Sequence, residues 1–482
     1  MARLSFVALM VALTCGACGS SEDFDVVIAG GRVVDPETGL DATLHLGIRG
    51  DTIVRLSEEP LMGARIIDAA GLVVAPGFID LHQHDQSDEG YRLKALDGVT
   101  AALDLEGGVP DIKSFIAVRQ GQSSIHFGAT ASQLAARTSA FDASLLPSQF
   151  GPEAGVPPPT GAAAAAPSTP EQLERLLARL SSEVEAGALG IGMGIEYSPG
   201  ATREEVRAVF DLAAQLTVPV FVHARQSGSA GVQSVTEVVT ASESTRAALH
   251  IVHINSTCRS SAPECLSVIS SARERGLDVT TEAYPYTAGM TFLNSAMFDP
   301  GWREARDLDY GDVELPETGE RLTRERFDAL RAQGEARLVL IHMNPEEVVE
   351  AVLANPLVAI ASDGLNAHPR GAGTYSRVLA RYVRERGAIG LSDAIRKMSL
   401  LPAQRLETVM PLARRLGRIQ EGAQADIVLF DAEGIQDQAT FSAPREPSVG
   451  VVYLLVRGTV VVDQGRLVTV AAPGRAFVRG LE

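Results

Sequence analysis

The feature that most constrains the fold is a regular alternation of short strand-like runs with longer helical patterns through the middle of the chain. Eight β-rich, apolar runs end near His84, Glu106, Ala129, Gly194, His223, His253, Glu282 and Asp363. Helical patterns such as 171–185 and 203–216 lie between several of these runs. Alternating strands and helices are typical of βα units, and eight such units predict an α/β fold, a (β/α)8 TIM-type barrel. A further run at 338–342 does not fit this count, and we assign it to an insertion.

Both ends of the chain are β-rich and lack this alternation. Short β-rich runs at 26–28 and 33–34 lead into turns. The carboxyl end has the same pattern, with β-rich runs at 425–431, 451–455 and 459–462. Two β-rich ends around an α/β middle predict one small β-sandwich assembled from both termini. The predicted parts are an amino-terminal segment at 1–18, a composite β-sandwich at 24–75 plus 413–482, and a barrel at 76–412.

Length and charge narrow the class of protein. A chain of 482 residues can hold a barrel of roughly 250 residues together with a second domain. Its 45% hydrophobic and 21% charged residues describe a globular rather than a disordered protein. The formal net charge of −18 argues against nucleic acid or an anionic lipid surface as a partner.

The first residues have the layout of a targeting segment. Arg3 precedes an apolar run at 4–13, and small residues follow around Cys18. The run is shorter than the roughly 20 residues that a membrane-spanning helix needs. The layout is similar to that of an exported bacterial lipoprotein that is cut before Cys18 and lipidated there, although Cys15 replaces the usual aliphatic residue. We therefore expect export to the cell envelope or periplasm, with a lipid anchor as the only membrane contact.

Two further cysteines, Cys258 and Cys265, have neither zinc-knuckle nor redox-pair spacing. In an oxidising compartment they can form one disulfide that closes a short loop. Two free thiols are the alternative, and the sequence leaves both open.

Two histidines follow the first strand-like run directly. The segment 76–84 reads PGFIDLHQH, in which a Pro-Gly turn precedes a buried run and then His82 and His84. Residues i and i+2 of a strand point to the same face, about 6.5–7 Å apart, so the two imidazoles can converge on one cation. Imidazole suits zinc and its first-row neighbours. The sequence therefore predicts a metal site at this strand end.

Other candidate ligands end other strand-like runs. His223, His253 and Asp363 each close a run, and TIM-type barrels place their active site at the carboxyl ends of the strands. A single histidine at a strand end is more often structural. Three residues able to bind metal, all in register with the first pair, indicate one shared metal site.

The segment 76–84 resembles the first metal motif of the amidohydrolase superfamily. Four further segments are similar to its D-aminoacylase branch, the N-acyl-D-amino-acid deacylases: AGALGIGMGIEYSP at 186–199, HAR at 223–225, EAYPYTAG at 282–289, and SDG with HPR within 362–370. The similarity runs from about Val26 to Gly465. It implies a barrel that hydrolyses non-peptide C–N bonds.

The chain also departs from the pattern of this branch. Where the family has a bridging cysteine after the second strand, residues 104–108 read DLEGG. A carboxylate can bridge two divalent ions, so we expect Glu106 to replace the cysteine, with Asp104 as the alternative. The lysine after the sixth-strand histidine is Asn255 here, and the serine after Tyr-Pro-Tyr is Met290. A D-amino-acid product is therefore not fixed by the sequence.

The resemblance implies a set of roles. A divalent metal, zinc first, with one or two ions per chain, is expected to carry a hydroxide that attacks the amide, and Asp363 acts as general base and then acid. The expected metal ligands are His82, His84, Glu106, His223 and His253. The expected substrate contacts are Tyr197, Arg225 and Tyr284.

Several functions stay open beside an N-acyl-D-amino-acid deacylase. A dipeptidase and a cyclic amidase share the same water-activating chemistry. A deaminase of the superfamily is disfavoured because Val220 and His250 occupy the positions of its glutamate. A non-catalytic envelope binding lipoprotein is the alternative from another class. The expected partner is a small N-acylated amino acid or related amide, and a homo-oligomer is left open.

Overall fold

The computed structural model describes residues 24–142, 144 and 157–482, so the predicted signal peptide at 1–18 lies outside the described residues. Its strands are β1 Phe24–Asp35, β2 Leu40–Arg49, β3 Thr52–Ser57, β4 Gly63–Asp68, β5 Val73–Pro76, β6 Phe78–Asp80, β7 Val99–Val109, β8 His126–Ser132, β9 Ile191–Gly194, β10 Val220–His223, β11 Leu249–Ile251, β12 Val279–Ala283, β13 Ala288–Phe292, β14 Val313–Leu315, β15 Glu320–Arg321, β16 Leu338–His342, β17 Val358–Ile360, β18 Ile427–Phe430, β19 Val451–Val456, β20 Thr459–Asp463 and β21 Arg466–Leu467.

The α-helices are α1 Asp88–Leu96, α2 Ile112–Ala117, α3 Gln133–Phe141, α4 Gly161–Ala165, α5 Pro170–Glu185, α6 Arg203–Leu216, α7 Gly231–Thr245, α8 Ile254–Cys258, α9 Ala262–Glu274, α10 Trp302–Arg306, α11 Arg324–Arg331, α12 Glu346–Ala354, α13 Arg370–Arg377, α14 Leu391–Ile395 and α15 Leu401–Leu406. Short 3-10 turns lie at Gly228–Ala230, Arg259–Ser261, Ala296–Phe298, Tyr310–Asp312 and Pro411–Arg415, and π-helical turns lie at Val378–Glu385 and Arg396–Leu400.

Eight parallel strands form the predicted barrel. Their order in the sheet is β6, β7, β8, β9, β10, β11, β12 and β17, and each lies at one of the eight runs recognised in the sequence. The first and last strands approach at their carboxyl ends, where Ser362 N donates to Asp80 Oδ1 at 3.0 Å and Gln83 pairs with Gly364. The prediction of a (β/α)8 barrel is confirmed.

The barrel strands are short apolar runs because both of their faces are covered. Val220, Phe221 and Val222 of β10 are fully buried, as expected for a parallel strand between a packed interior and a layer of helices. The helices show the matching pattern. In α6, Val206, Val209, Phe210 and Ala213 form one buried face at helical spacing, and the Thr202 side chain caps the helix by accepting from Glu205 N.

A second sheet is built from both ends of the chain. Strands β1 to β5 and β18 to β21 form nine hydrogen-bonded strands, with β5 and β18 antiparallel where the two ends of the chain meet. Its own core includes Ile28, Leu46, Ile48, Ile427 and Leu455. Strand β5 is followed after Gly77 by barrel strand β6, so this sheet fixes the entry of the strand that leads to His82.

The further run at 338–342 lies outside the barrel, as predicted. It is strand β16 of a four-stranded antiparallel sheet with β13, β14 and β15, inserted between the seventh and eighth barrel strands. Aromatic rings of Phe298, Trp302, Tyr310 and Phe327 pack together beneath this sheet. The insertion leaves the barrel at the carboxyl ends of the strands and covers that face.

Of the two alternatives for the internal cysteines, the structure contains the disulfide, between Cys258 and Cys265. Within the described ranges, no helix has both the length and the apolar character needed to cross a membrane.

Candidate metal centre

Glu106 of β7 lies between two pairs of histidines at the carboxyl face of the barrel. Its Oε2 is 3.2 Å from His82 Nε2 and 3.0 Å from His84 Nε2. Its Oε1 is 2.7 Å from His223 Nδ1 and 3.5 Å from His253 Nε2. Each carboxylate oxygen therefore faces one histidine pair, which is the geometry that a bridging ligand requires.

Asp363 adjoins the first histidine pair. Its Oδ1 is 3.5 Å from His82 Nε2 and 3.6 Å from His84 Nε2. Two groups of donors result, and within each group the ligand atoms all lie within 4.8 Å of one another. The groups are His82, His84 and Asp363, and Glu106, His223 and His253. The structure thus brings together all six residues that the sequence predicted for metal binding and acid–base catalysis. We call these six residues the cage.

The backbone at two strand ends is shaped for this purpose. Asp363, just after β17, and His253, just after β11, have positive φ angles of 51° and 30°. Positive φ is uncommon for residues other than glycine, although asparagine, aspartate and histidine adopt it more often than the rest, and such residues cluster at functional sites because the surrounding structure holds them there. Here the change of chain direction turns both side chains towards the same cage.

The outer nitrogen of each histidine is held by a second side chain. The pairs are His82 Nδ1 with Glu282 Oε1 at 2.6 Å, His84 Nδ1 with Asp104 Oδ1 at 3.3 Å, His223 Nε2 with Glu196 Oε2 at 2.7 Å, and His253 Nδ1 with Thr257 Oγ1 at 3.4 Å. A carboxylate that accepts the proton of the outer nitrogen leaves the inner nitrogen as a lone pair that faces the cage. This arrangement is typical of histidines that bind metal.

The donor set fits a divalent cation. The inner nitrogens of His82 and His84 are 3.1 Å apart, and those of His223 and His253 are also 3.1 Å apart, beside carboxylate oxygens. Lone pairs of nitrogen and oxygen that point at each other repel unless a cation or proton lies between them. A mixed set of imidazole and carboxylate donors is the set that zinc prefers.

The pKa values show how strongly the cage attracts positive charge. Burial lowers the pKa of His82, but the charges of Asp363, Glu106 and Glu282 outweigh burial and raise it to about 10. Burial also lowers the pKa of His223, but its hydrogen bonds to the carboxylates of Glu106 and Glu196 outweigh burial and raise that pKa to about 9. The same carboxylates that raise these values favour a metal cation in the cage.

Asp104 does not occupy the bridging position that we kept as its alternative role. Its Oδ1 accepts from the backbone N–H groups of Gly107 and Gly108 at 3.1 Å each, and its carboxylate supports His84 from outside the cage. The side chain of Glu106 is one methylene longer and reaches between the histidine pairs. The structure therefore places Glu106, not Asp104, between the two histidine pairs.

The cage opens into a cavity of about 250 Å³, the size of a small organic molecule. The predicted contacts Tyr197 and Tyr284 both line it. The insertion contributes an apolar wall that consists of Met290, Phe292, Leu338, Ile341 and Met343. Cavities of this kind, mostly apolar with a few converging polar groups, bind small molecules.

Arg225 does not line this cavity, so the structure does not bring it together with the other two predicted substrate contacts, Tyr197 and Tyr284. Its Nη2 lies 2.7 Å from Glu237 Oε1, and its Nη1 donates to the carbonyl oxygen of Ala201 at 2.8 Å. Arg225 lies two residues past the end of β10, where the acidic side chain on α7 captures the guanidinium. The residue anchors a helix to the barrel instead.

Sequence reasoning missed several charged residues around the cage. Arg370 Nη1 lies 2.9 Å from Asp363 Oδ2, and burial of Asp363 is outweighed by Arg370 and His82, which lower the pKa of its carboxyl group. Arg306 Nη2 lies 2.6 Å from Glu196 Oε1, and Arg259 lines the cavity. Arg370 was visible as part of the HPR segment. Arg259 lies in a 3-10 turn and Arg306 at the end of α10, and neither spacing nor a motif marks them in the sequence.

Comparisons with known proteins identify the family of this chain. Residues 158–462 match the model of the amidohydrolase family. The N-acyl-D-glutamate deacylase of Alcaligenes xylosoxydans xylosoxydans is 32% identical over 92% of this chain and 94% of its own length. The D-aminoacylase of the same organism is 29% identical over 95% of this chain and 98% of its own.

Solved structures give the same result. The crystal structure of N-acyl-D-glutamate deacylase from Bordetella bronchiseptica, complexed with zinc and a phosphonate inhibitor, superimposes with a TM-score of 0.77 at 25% identity. It covers 95% of this chain and 100% of that chain. A crystal structure of D-aminoacylase superimposes with a TM-score of 0.76, also at 25% identity, with the same coverage. This chain therefore belongs to the amidohydrolase family, as its motifs indicated, and is a metal-dependent hydrolase of carbon–nitrogen bonds.

Proposed function

We propose that this enzyme hydrolyses the amide bond of N-acyl-D-amino acids with one or two divalent ions, zinc first, held in the cage around Glu106. The observation that carries the proposal is the division of the two Glu106 oxygens between two histidine pairs, with Asp363 beside them under a small cavity. The relatives described above, an N-acyl-D-glutamate deacylase and a D-aminoacylase, support the choice of substrate class.

The residues of the chain perform the proton transfers of this reaction. His82, His84, Glu106, His223, His253 and Asp363 would hold a divalent ion, which when bound would polarise the amide carbonyl and lower the pKa of water. Asp363 accepts a proton from the attacking water as the water oxygen bonds to the carbonyl carbon. It then donates that proton to the amide nitrogen as the C–N bond breaks. The products are a carboxylic acid and a free amino acid, and Arg370 keeps Asp363 ionised at the start of each cycle.

Two tyrosines are placed to position the substrate. The ring of Tyr197 lies 4.9 Å from the ring of His223, and its hydroxyl accepts from Thr291 Oγ1 at 3.1 Å. The hydroxyl of Tyr284 is hydrogen-bonded to Ser256. Both hydroxyls are fixed by neighbours and lie at the cavity wall, where they can orient a polar substrate group.

A substrate panel tests the proposed function. Zinc-loaded enzyme is assayed for amine release from N-acetyl and N-formyl amino acids in D and L forms, from dipeptides and from a cyclic amide. We expect N-acyl-D-amino acids to be hydrolysed with a kcat/KM at least about 100-fold above that of their L forms. The polar groups of the site are fixed, so an L substrate cannot pair with all of them and is strongly disfavoured. A preference for dipeptides or for the cyclic amide would contradict the deacylase function.

We also propose that the protein is exported to the cell envelope or periplasm and anchored by a lipid at Cys18. The support is the layout of residues 3–18 and the Cys258–Cys265 disulfide, a bond that persists in oxidising compartments. Fractionation of bacteria that express the full chain should find it with membranes, and Cys18→Ser should release it, while Cys15→Ser should not. Full-length, uncut protein in the cytosol would contradict export.

A further inference from the structure

Arg259 is a buried cation in the catalytic cavity with no acidic partner among the residues that the structure describes. Its side chain lines the cavity, and the residue is only 7% exposed. Its Nη1 donates to the carbonyl oxygen of Arg306, its Nη2 lies 3.6 Å from Met343 Sδ, and its Nε has no hydrogen-bond partner. The guanidinium therefore retains donors that no carboxylate of the described chain satisfies.

The other arginines of the site are neutralised. Arg306 pairs with Glu196 at 2.6 Å, and Arg370 pairs with Asp363 at 2.9 Å. Both oxygens of Glu196 already have partners, His223 at Oε2 and Arg306 and Ser227 at Oε1, and among the described residues no ion pair joins Glu196 to Arg259. Burial accordingly lowers the pKa of Arg259. A buried charge without a partner is costly, so residues of this kind are typically completed by a ligand.

The local backbone holds Arg259 in place. The residue has a positive φ of 47°, which a long side chain rarely adopts, and it lies directly after Cys258 at the end of α8. The disulfide from Cys258 to Cys265 closes the loop that follows. Both constraints reduce the freedom of the guanidinium, and a binding group held on a rigid element loses little entropy when its ligand arrives.

We propose that Arg259 binds a carboxylate of the substrate and thereby selects anionic N-acyl amino acids over neutral amides. This inference rests on the proposed deacylase function and names the class of substrate that the cavity takes. Two substrate groups share this chemistry, the α-carboxylate and the carboxylate of an acidic side chain. Guanidinium and carboxylate form paired, charge-assisted hydrogen bonds, which makes arginine suited to either group.

The test compares three substrates that differ only in their carboxylates: N-acetyl-D-glutamate, its isosteric amide N-acetyl-D-glutamine, and N-acetyl-D-glutamine amide, which has no carboxylate. For Arg259→Met we expect kcat/KM to fall about 10- to 100-fold, mainly through KM, wherever the recognised carboxylate is present. A loss with glutamate alone assigns the side-chain carboxylate. A loss with glutamate and glutamine, but not with the uncharged compound, assigns the α-carboxylate.

Control variants separate binding from a structural role. Arg303→Met removes a half-exposed arginine of the insertion between the seventh and eighth barrel strands, paired with Asp309 at 3.0 Å, and should leave all three values unchanged. Arg259→Lys keeps the charge and should recover part of the loss. Equal losses with all three substrates, or no loss with any, would overturn the proposal.

Calorimetric binding of the same three compounds keeps this inference separate from the deacylase function. If the parent enzyme hydrolyses none of them, the proposed function fails, but the affinity for N-acetyl-D-glutamate still reports on Arg259. We expect Arg259→Met to weaken that affinity at least about 10-fold relative to Arg303→Met. Equal affinities in the two variants would overturn the role of Arg259 whatever the hydrolytic activity.

Discussion

Glu106 and Asp104 lie two residues apart on one strand, yet they do different work because of what surrounds each carboxylate. Backbone N–H groups of Gly107 and Gly108 bind Asp104, whereas histidine nitrogens face both carboxylate oxygens of Glu106. The carboxylate of Asp104 therefore orients His84, and that of Glu106 remains available to a cation. At the scale of single residues, side-chain length and hydrogen-bond partners together decide the role.

Replacement of these two carboxylates should therefore have different consequences. We expect Glu106→Ala to lose at least one metal ion per chain, because both histidine pairs lose their shared ligand. Asp104→Asn should keep the parental stoichiometry, with metal affinity weakened about 10- to 100-fold, as is usual for partners of metal-binding histidines. Elemental analysis after dialysis measures both, and metal loss in Asp104→Asn alone would reverse the two assignments.

Replacement of Asp363 should separate proton transfer from metal binding. We expect Asp363→Asn to lower kcat by about 10²- to 10⁴-fold, the usual contribution of a general acid–base, while the ion held by Glu106, His223 and His253 is retained. Kinetics and metal analysis of the same preparation check this. Asp85→Asn is the matched control, since Asp85 lines the same cavity but is bonded to Ser87. Near-parental turnover by Asp363→Asn would remove Asp363 from the mechanism.

At the scale of elements, strand ends and loops supply the chemistry while the strand interiors supply the packing. The ligands come from five barrel strands and the residues just after them, and the insertion between the seventh and eighth strands adds the apolar wall of the cavity. Loops at the carboxyl face of a barrel can vary without disturbing its core. This separation explains how Arg259 can enter the cavity from a loop while the metal ligands stay in register.

The loop closed by the disulfide should contribute to both stability and substrate binding. We expect Cys265→Ser to lower the free energy of unfolding by about 2–3 kcal/mol, on the loop-entropy account of a short loop. The same variant should raise KM for anionic substrates, because Arg259 follows Cys258 directly. Urea denaturation and steady-state kinetics measure the two effects. Unchanged KM together with reduced stability would limit the disulfide to a structural role.

At the scale of the whole molecule, the stability depends on contacts between distant parts of the chain. The nine-stranded sheet joins the two ends of the chain. The helical turn Arg396–Leu400, which contains Lys397, lies against the start of β17. The Nζ of Lys397 donates to the carbonyl oxygens of Asn355 and Val358, the second at 3.2 Å, and the side chain is fully buried. Burial outweighs the attraction of Asp393 and lowers the pKa of Lys397 to about 8.

This buried lysine predicts a stability that rises with pH. Between about pH 8 and pH 10.5 the unfolded chain binds the Lys397 proton and the folded chain does not, so the free energy of unfolding increases across this window. At about 1.4 kcal/mol per pKa unit, the shift from 10.5 to about 8 gives a full increase of about 3.5 kcal/mol. Urea denaturation at pH 7.5 and pH 10 should show most of this increase in the parent and in Lys113→Met, which alters an exposed lysine. A parental increase in Lys397→Met would contradict the assignment.

The amino-acid sequence by itself determined the barrel and most of the metal cage. Period-two and period-3.6 patterns are local, and residues at the ends of parallel strands must meet at one face, so His82, His84, His223, His253 and Asp363 could be grouped without coordinates. The choice of Glu106 came from the resemblance to the D-aminoacylase branch, because residues 104–108 stand where that branch has its bridging cysteine.

Only the tertiary structure decided which charges remain available. Arg225 was predicted to contact substrate, but Glu237 on α7 captures it, while Arg259 reaches the cavity from a loop without any motif. Glu196 supports His223 and Glu282 supports His82, and both pairs are distant in sequence. Thr257 supports His253, which lies on the preceding turn. The partner of a long charged side chain is set by whichever group lies within about 4 Å in the folded chain, and sequence spacing does not encode that distance across a barrel.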